Sequence, residues 1–318
     1  MNKILEIKNL NLGFNTESGF RQALWDVSLS LDKGEMHALV GESGCGKTIS
    51  AMSVLRLLPK NALIKSGEIL YNGEDVLKFD KTSLSTLRGA KIALIPQDPM
   101  TSLNPLYTVG NQLLEVIKIH QGLSGNAAYE KAIEALKTVQ IPSAEERFNS
   151  YPHEFSGGMK QRAIIAMALA CHAEILIADE PTTALDVTIQ AQIMKLLQKI
   201  KTETGVSILL ITHDLALVSE NADFISVMYA GRVVESAPAK EFFSNPQHPY
   251  SLALLKSIPS NRGAKLETIH GQPPSIYQEI TGCRFHPRCE YCMEKCVREV
   301  PELMLINENH SAACWLKP

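Results

Sequence analysis

The sequence predicts an α/β fold: a parallel core sheet with crossover helices, an antiparallel β subdomain, an inserted helical subdomain and a small cysteine-rich C-terminal extension. Three observations predict it. Short apolar runs alternate with helical patterns, which implies strands joined by helices. One of these runs feeds a glycine-rich loop that opens a helix. Five of the seven cysteines fall between Cys283 and Cys314.

The glycine-rich stretch is Gly41-Glu42-Ser43-Gly44-Cys45-Gly46-Lys47-Thr48: a glycine, four free positions, then Gly-Lys-Thr. Met36 to Val40 (MHALV) before it reads as a buried strand. Ile49 to Leu58 (ISAMSVLRLL) after it reads as a helix halted by Pro59. Glycines let the backbone curl so that successive N–H groups point at phosphate oxygens, and the helix N-terminus adds partial positive charge. Gly41, Ser43, Gly44, Cys45 and Gly46 are therefore expected to cradle phosphates, with Lys47 reaching the β- and γ-phosphates and the Thr48 hydroxyl ligating magnesium. This is a phosphate-loop NTPase core, and its ligand is a nucleoside triphosphate.

Composition narrows the class. A chain of 318 residues, 45% hydrophobic and 20% charged, suits one large domain with an appendage, or two domains. A net charge of −3 gives no electrostatic case for a nucleic-acid partner. The opening MNKILEIKNL is too polar for a secretory signal, and no apolar run reaches the ~20 residues that span a bilayer. Seven cysteines without a signal peptide point to a reducing cytosol.

In chain order, Phe14 ends the first strand pattern and either stacks on a purine ring or packs as a core aromatic. Residues 24–31 place Val27, Leu29 and Leu31 on one face of a half-buried strand, and Lys33-Gly34 turns the chain toward the phosphate loop. Residues 67–76 hold a hairpin turn at Asn72-Gly73, and 92–95 form a buried strand before Pro96-Gln97-Asp98. From about 100 to 170 strand signals vanish, which reads as the helical subdomain. Residues 175–178 (ILIA) are a buried strand ending in Asp179-Glu180. The following helix carries Ile189, Ile193, Leu196, Leu197 and Ile200, with Asp186 as its cap and Gly205 as its stop. Residues 206–211 are another buried strand, ending in Thr212-His213-Asp214, and 251–258 are helical. Domain limits are expected at 1–240 and 241–318.

In a parallel α/β sheet, chemistry gathers at strand C-termini, where Asp179, Glu180 and His213 lie. An aspartate there can hold magnesium, and a glutamate beside it can polarise water for attack on the γ-phosphate. Ser156, Gly157 and Gly158 open the helical run 159–170, a second anion-facing helix N-terminus. Two phosphate-facing sites so far apart in sequence suggest that each completes a site with a second chain.

These residues resemble the ATP-binding subunits of ABC transporters over essentially the whole chain. Gly41–Thr48 matches the Walker A loop, Gln97 the Q-loop, Ser156–Met159 the signature loop, and Ile175–Glu180 Walker B. Ala184-Leu185-Asp186 matches the D-loop and His213 the H-loop. Phe155 and Met159 stand where many members have Leu and Gln. With 245–258 (NPQHPYSLALLKSI) and 282–289 (GCRFHPRC), this variant is similar to the dipeptide and oligopeptide importer branch, to which nickel importers are close. The resemblance implies an ATPase that hydrolyses ATP to drive uptake of di- or oligopeptides from the cytoplasmic face of the membrane, as a peripheral subunit. It implies two membrane-spanning permease subunits, a second ATP-binding subunit (a paralogue or a second copy), an indirect link to a substrate-binding protein and no nucleic acid. It implies Glu180 as general base, His213 on the γ-phosphate, Gln97 linking the site to the helical subdomain, and Thr48, Gln97 and Asp179 about magnesium. The Ser156-type loop is implied to serve the partner's ATP. A non-transport ABC ATPase would carry a long coiled-coil insertion or two units per chain, and the sequence has neither.

The resemblance also implies a [4Fe–4S] cluster on Cys283, Cys289, Cys296 and Cys314. Cys292 is a fifth cysteine, and Cys289-x-x-Cys292 with His286 is also a zinc spacing, so Zn2+ stays the alternative, with unmetallated packing cysteines a third. Cys45 and Cys171 lie in the ATPase core as bystanders to the cluster.

Overall fold

The computed structural model describes residues 2–183, 185–258 and 269–317. Its strands are β1 (Lys3–Thr16), β2 (Gly19–Asp32), β3 (Met36–Val40), β4 (Ala62–Tyr71), β5 (Glu74–Asp75), β6 (Ile92–Ile95), β7 (Ile175–Asp179), β8 (Ser207–Thr212), β9 (Phe224–Tyr229), β10 (Arg232–Pro238), β11 (Met304–Asn307) and β12 (His310–Ala312). The chain divides into two compact units: Met1–Lys78 with Ile211–Pro318, and Phe79–Leu210.

In the first unit, β2, β1, β4 and β5 form an antiparallel sheet in that order. Leu5 and Ile7 of β1 face Leu31 and Leu29 of β2, and Ile7 faces Ile69 of β4, all buried. Strand β2 extends well beyond the expected 24–31; the expected face of Val27, Leu29 and Leu31 is buried, and within 24–31 the alternation breaks only between Leu24 and Val27, where β1 and β2 shift register. Asn9 (φ 47°) and Asp26 (φ 49°) absorb the irregularity in the left-handed region, which Asn and Asp tolerate. Asn11 ties it down, donating from Nδ2 to Asp26 Oδ1 at 2.7 Å and Ser66 Oγ at 3.1 Å. The expected hairpin joins β4 to β5, with Asn72 (φ 47°) and Gly73 (φ 84°) both in the conformation a type I′ turn needs. Strand β4 begins at Ala62, ahead of the expected 67, because its first half is largely exposed and carries no apolar alternation.

The same unit orders β11, β12, β10, β9 and β3 side by side. Strand β3 is parallel to β9, with Val40 opposite Val227, and β10 is antiparallel to both β9 and β12. The cysteine-rich extension therefore adds two strands to a sheet. It also adds to the core: Phe285 is buried with Val40, Val227, Tyr229, Phe242 and Tyr250, its ring 5.1 Å from Tyr229 and 5.3 Å from Tyr250. The expected helix at 251–258 runs Pro249–Lys256, capped by His248, whose Nδ1 accepts the Tyr250 N–H at 3.0 Å.

The second unit pairs β6 parallel with β7, Leu94 opposite Ile177, and packs the helices Val109–Gln121, Gly125–Thr138 and Gly157–Ala170 within the span expected to be helical. Helix Val187–Thr204 starts at Asp186, whose carboxylate accepts the Ile189 N–H at 3.0 Å, and stops at Gly205 (φ 71°). Its buried stripe is Ile193, Leu196, Leu197 and Ile200, with Ile189 half-buried at the edge. Among the described residues no helix is long and apolar enough to cross a membrane.

Candidate functional site

The first unit, by itself, contains residues 41–48, the glycine-rich loop, and His213. Val40 ends β3, and helix Lys47–Val54 begins six residues after Gly41. Gly41 (φ 153°) has no room for a side chain, since a Cβ there would lie 2.2 Å from the Met228 carbonyl oxygen. Gly46 (φ 110°) caps the helix in a conformation L-residues avoid. The Lys47 ammonium is buried at 5% exposure and donates to the carbonyl oxygens of Gly41 at 2.7 Å and Glu42 at 3.0 Å. Cys45 is buried and burial pushes its thiol pKa up, so it stays a neutral packing group. Ser43, Gly44 and Thr48 are exposed. His213 is exposed at the C-terminal end of β8, beside Asp214, which caps helix Leu215–Asn221 by accepting the Ala216 and Leu217 N–H groups. Phe14 is half-buried on β1 in register with Arg21 and Ala62.

The second unit, by itself, contains the acidic pair Asp179-Glu180 and Gln97. Asp179 ends β7 at 2% exposure. Glu180 follows with φ 45°, a strained conformation for a non-glycine residue, and such strain collects at functional sites. One carboxylate oxygen, Oε2, accepts from Gln97 Nε2 at 2.9 Å and from Thr183 Oγ1 at 2.9 Å. The structure thus brings Gln97 and Glu180 together and adds Thr183, which sequence reasoning did not single out. A hydroxyl three residues after the glutamate was the available signal.

Ser156 caps helix Gly157–Ala170, its Oγ accepting the Met159 N–H at 3.3 Å. Gly158 serves packing: a Cβ there would meet Ile189 Cγ2 at 2.8 Å. Of the segment Ala184-Leu185-Asp186, Ala184 lies outside the described residues.

Among the described residues, no group of three or more His, Cys, Asp or Glu side chains is arranged to hold a metal ion. The cysteines singled out in the extension are nevertheless neighbours. Burial first, and then the nearby Cys296, Cys314 and Cys289, raise the Cys283 thiol pKa to about 11. Cys289 is raised by burial first and then by Cys314, Cys296 and Cys292, and Cys314 by burial first and then by Cys296 and Glu235. Cys292 is exposed, and His286 Nδ1 is bonded to the Cys283 carbonyl at 2.9 Å.

Comparison with known proteins identifies the family. Residues 24–183 match the family described as "ABC transporter", and 234–296 the family described as "Oligopeptide/dipeptide transporter, C-terminal region". The chain belongs to the ABC transporter ATP-binding family. It is 47% identical over 98% of its length to a probable peptide ABC transporter ATP-binding protein, y4tR, of Sinorhizobium fredii, covering 94% of that protein. It is also 47% identical, over 100% of its length and 96% of the relative's, to the dipeptide transport ATP-binding protein DppD of Bacillus subtilis. Among solved structures it resembles the dimeric post-hydrolysis state of the ATP-binding cassette MJ0796 bound to ADP and Pi, with a TM-score of 0.66 and 28% identity over 74% of this chain and 98% of that one. The fold is that of an ABC ATPase cassette, and the chain is an ABC-type ATPase that acts with membrane permease subunits.

Proposed function

We propose that this ABC ATPase powers an importer of di- or oligopeptides from the cytoplasmic face of the membrane, through two separate permease subunits. The observation that carries this reading is the match of residues 234–296, beyond the 24–183 matched to the ABC transporter family, to a region described for oligopeptide and dipeptide transporters. In functional terms 1–240 is the ATPase domain, with the helical subdomain at about 100–170, and 241–318 the extension.

The residue roles follow chemistry. The amides of Gly41, Ser43, Gly44, Cys45 and Gly46 and the Lys47 ammonium bind phosphate oxygens, and Phe14 lies against the base. Thr48, Gln97 and Asp179 hold magnesium, which neutralises phosphate charge when bound. Glu180 takes the proton of the attacking water, with Gln97 and Thr183 fixing its carboxylate. His213 contacts the γ-phosphate. Ser156, Gly157 and Gly158 serve the ATP of a second ATP-binding subunit.

In the extension, Cys283, Cys289, Cys296 and Cys314 form the donor set for a [4Fe–4S] cluster. Support for it is chemical: the thiols of Cys296, Cys314 and Cys289 lie close enough to Cys283 to raise its pKa, and clusters of this kind take four cysteines. The cluster's contribution would be structural.

Purifying the native complex and identifying the solute on its binding protein tests the import reading. Peptides are expected. Nickel, or a complex without permease subunits, overturns it.

A further inference from the structure

Glu42, the second residue of the phosphate loop, is held by the C-terminal region at both its main chain and its side chain. Its carboxylate accepts a two-pronged pair of hydrogen bonds from Arg288, Nη1 to Oε2 at 2.6 Å and Nη2 to Oε1 at 3.0 Å. Its N–H donates to the buried Tyr250 hydroxyl at 3.0 Å. Its carbonyl accepts from Lys47.

Arg288 is itself fixed. Its side chain is only 5% exposed, Nε donates to the His270 carbonyl at 2.8 Å, Nη2 to the Gly271 carbonyl at 3.3 Å, and Nη1 to the Tyr229 hydroxyl at 3.3 Å. Its guanidinium lies 5.7 Å from the centre of the Tyr229 ring. A fork anchored at its other donors transmits position, because a planar guanidinium bonded at five points cannot follow a drifting carboxylate. Most surface ion pairs lack this property.

We infer that Arg288 is a positioning residue for ATP binding: through Glu42 it sets the start of the phosphate loop, so that the amides after it are aimed at the phosphates. Neither residue of this pair was assigned a role above, and 246 positions separate them. The inference rests on the reading of 41–48 as the phosphate loop. It makes the C-terminal extension a working part of the nucleotide site as well as an attachment to it. Arg288 touches no phosphate; its whole effect passes through Glu42.

The test is titration of the full chain with a fluorescent ATP analogue and magnesium, with the melting temperature recorded for every variant. Arg288→Ala should weaken binding about tenfold, and Arg288→Lys, which keeps the charge and loses the fork, by less. Glu42→Gln should weaken it modestly, and the Glu42→Gln/Arg288→Ala double variant should be no worse than Arg288→Ala alone, since both act through one contact. If Arg288→Ala does not fold, Arg288→Lys takes its place in the cycle. A lowered melting temperature with unchanged affinity, or strictly additive losses, overturns the inference and leaves Arg288 a structural tie. Lys47→Ala serves as the control. If it binds as tightly as wild type, the phosphate-loop reading itself fails; if it loses binding while the Arg288 variants do not, only the positioning role fails.

Discussion

Acidification from pH 7 to pH 5 should cost this chain about 4 kcal/mol of unfolding free energy, and two buried histidines set that figure. His37 sits inside β3, its Nδ1 donating to the Ser30 carbonyl at 2.7 Å and its Nε2 beside Ser226 Oγ at 2.8 Å. His248 caps helix Pro249–Lys256, and its Nδ1 is occupied by the Tyr250 N–H. Burial lowers the first from 6.5 to about 4 and the second from 6.5 to about 3. A depressed histidine binds fewer protons folded than unfolded. Its stabilising contribution is therefore complete above the unfolded value near 6.5 and is lost as pH falls toward the folded value. At pH 5 the unfolded form of each is almost wholly protonated while the native form is not, which is worth about 2 kcal/mol per residue. The carboxylates with lowered pKa, such as Glu6, Asp75 and Asp98, titrate below their ordinary 4.5 or 3.8 and leave this window alone. Urea unfolding at pH 7, 6 and 5 gives the measurement. His248→Asn keeps a capping acceptor without a titrating nitrogen and should halve the loss. An unchanged unfolding free energy across this range, or a variant with the full wild-type slope, would refute the assignment.

Four further outcomes are expected. Glu180→Gln preserves shape and hydrogen bonding but removes the base, so ATP binding should persist while steady-state hydrolysis falls at least a hundredfold; activity within a few-fold of wild type would acquit Glu180. Ser156→Arg should leave binding of a fluorescent ATP analogue to the isolated chain intact and block turnover in the assembled transporter, and lost binding in the isolated chain would place Ser156 in its own site. Gly41→Ala must push a methyl into the Met228 carbonyl from a strained backbone, so nucleotide affinity and melting temperature should fall together; a variant normal in both would show that the loop yields freely. Anaerobic purification with iron, sulfide and zinc analysis should return four irons per chain, whereas stoichiometric zinc without iron defeats the cluster assignment.

Local features of this fold were legible in the sequence because their causes are local. Asp186 and Gly205 bracket a helix through contacts within a few residues, and the Asn72-Gly73 turn needs only two positive φ angles. The run before Asp179 announced a buried strand by lacking any polar residue. The first half of β4 was not legible, since it pairs through its backbone while most of its side chains face solvent. Gly158 read as an anion loop residue, and only the packed helix revealed that Ile189 also demands its missing side chain. The clamp of Arg288 on Glu42 had no signal at all, because no periodicity links positions so distant in sequence.

The same limit explains why the extension looks separable in sequence and is not separable physically. Strand β10 reads RVVESAP, and its Glu235 is fully buried. A carboxylate taken wholly out of water is costly unless donors surround it. Its hydrogen-bond partners come from beyond residue 240: the N–H of Gln247 at 2.7 Å, the N–H of His248 at 2.8 Å, and the ring Nε2 of His310 at 2.7 Å. The other ring nitrogen of His310, Nδ1, lies 3.1 Å from Glu241 Oε1. A chain ending near 240 would keep the buried glutamate and lose all of these partners. The glutamate in the core strand and the histidine near the C-terminus therefore form one hydrogen-bonded unit, and the buried Glu235 keeps these partners only when the segment beyond residue 240 is in place.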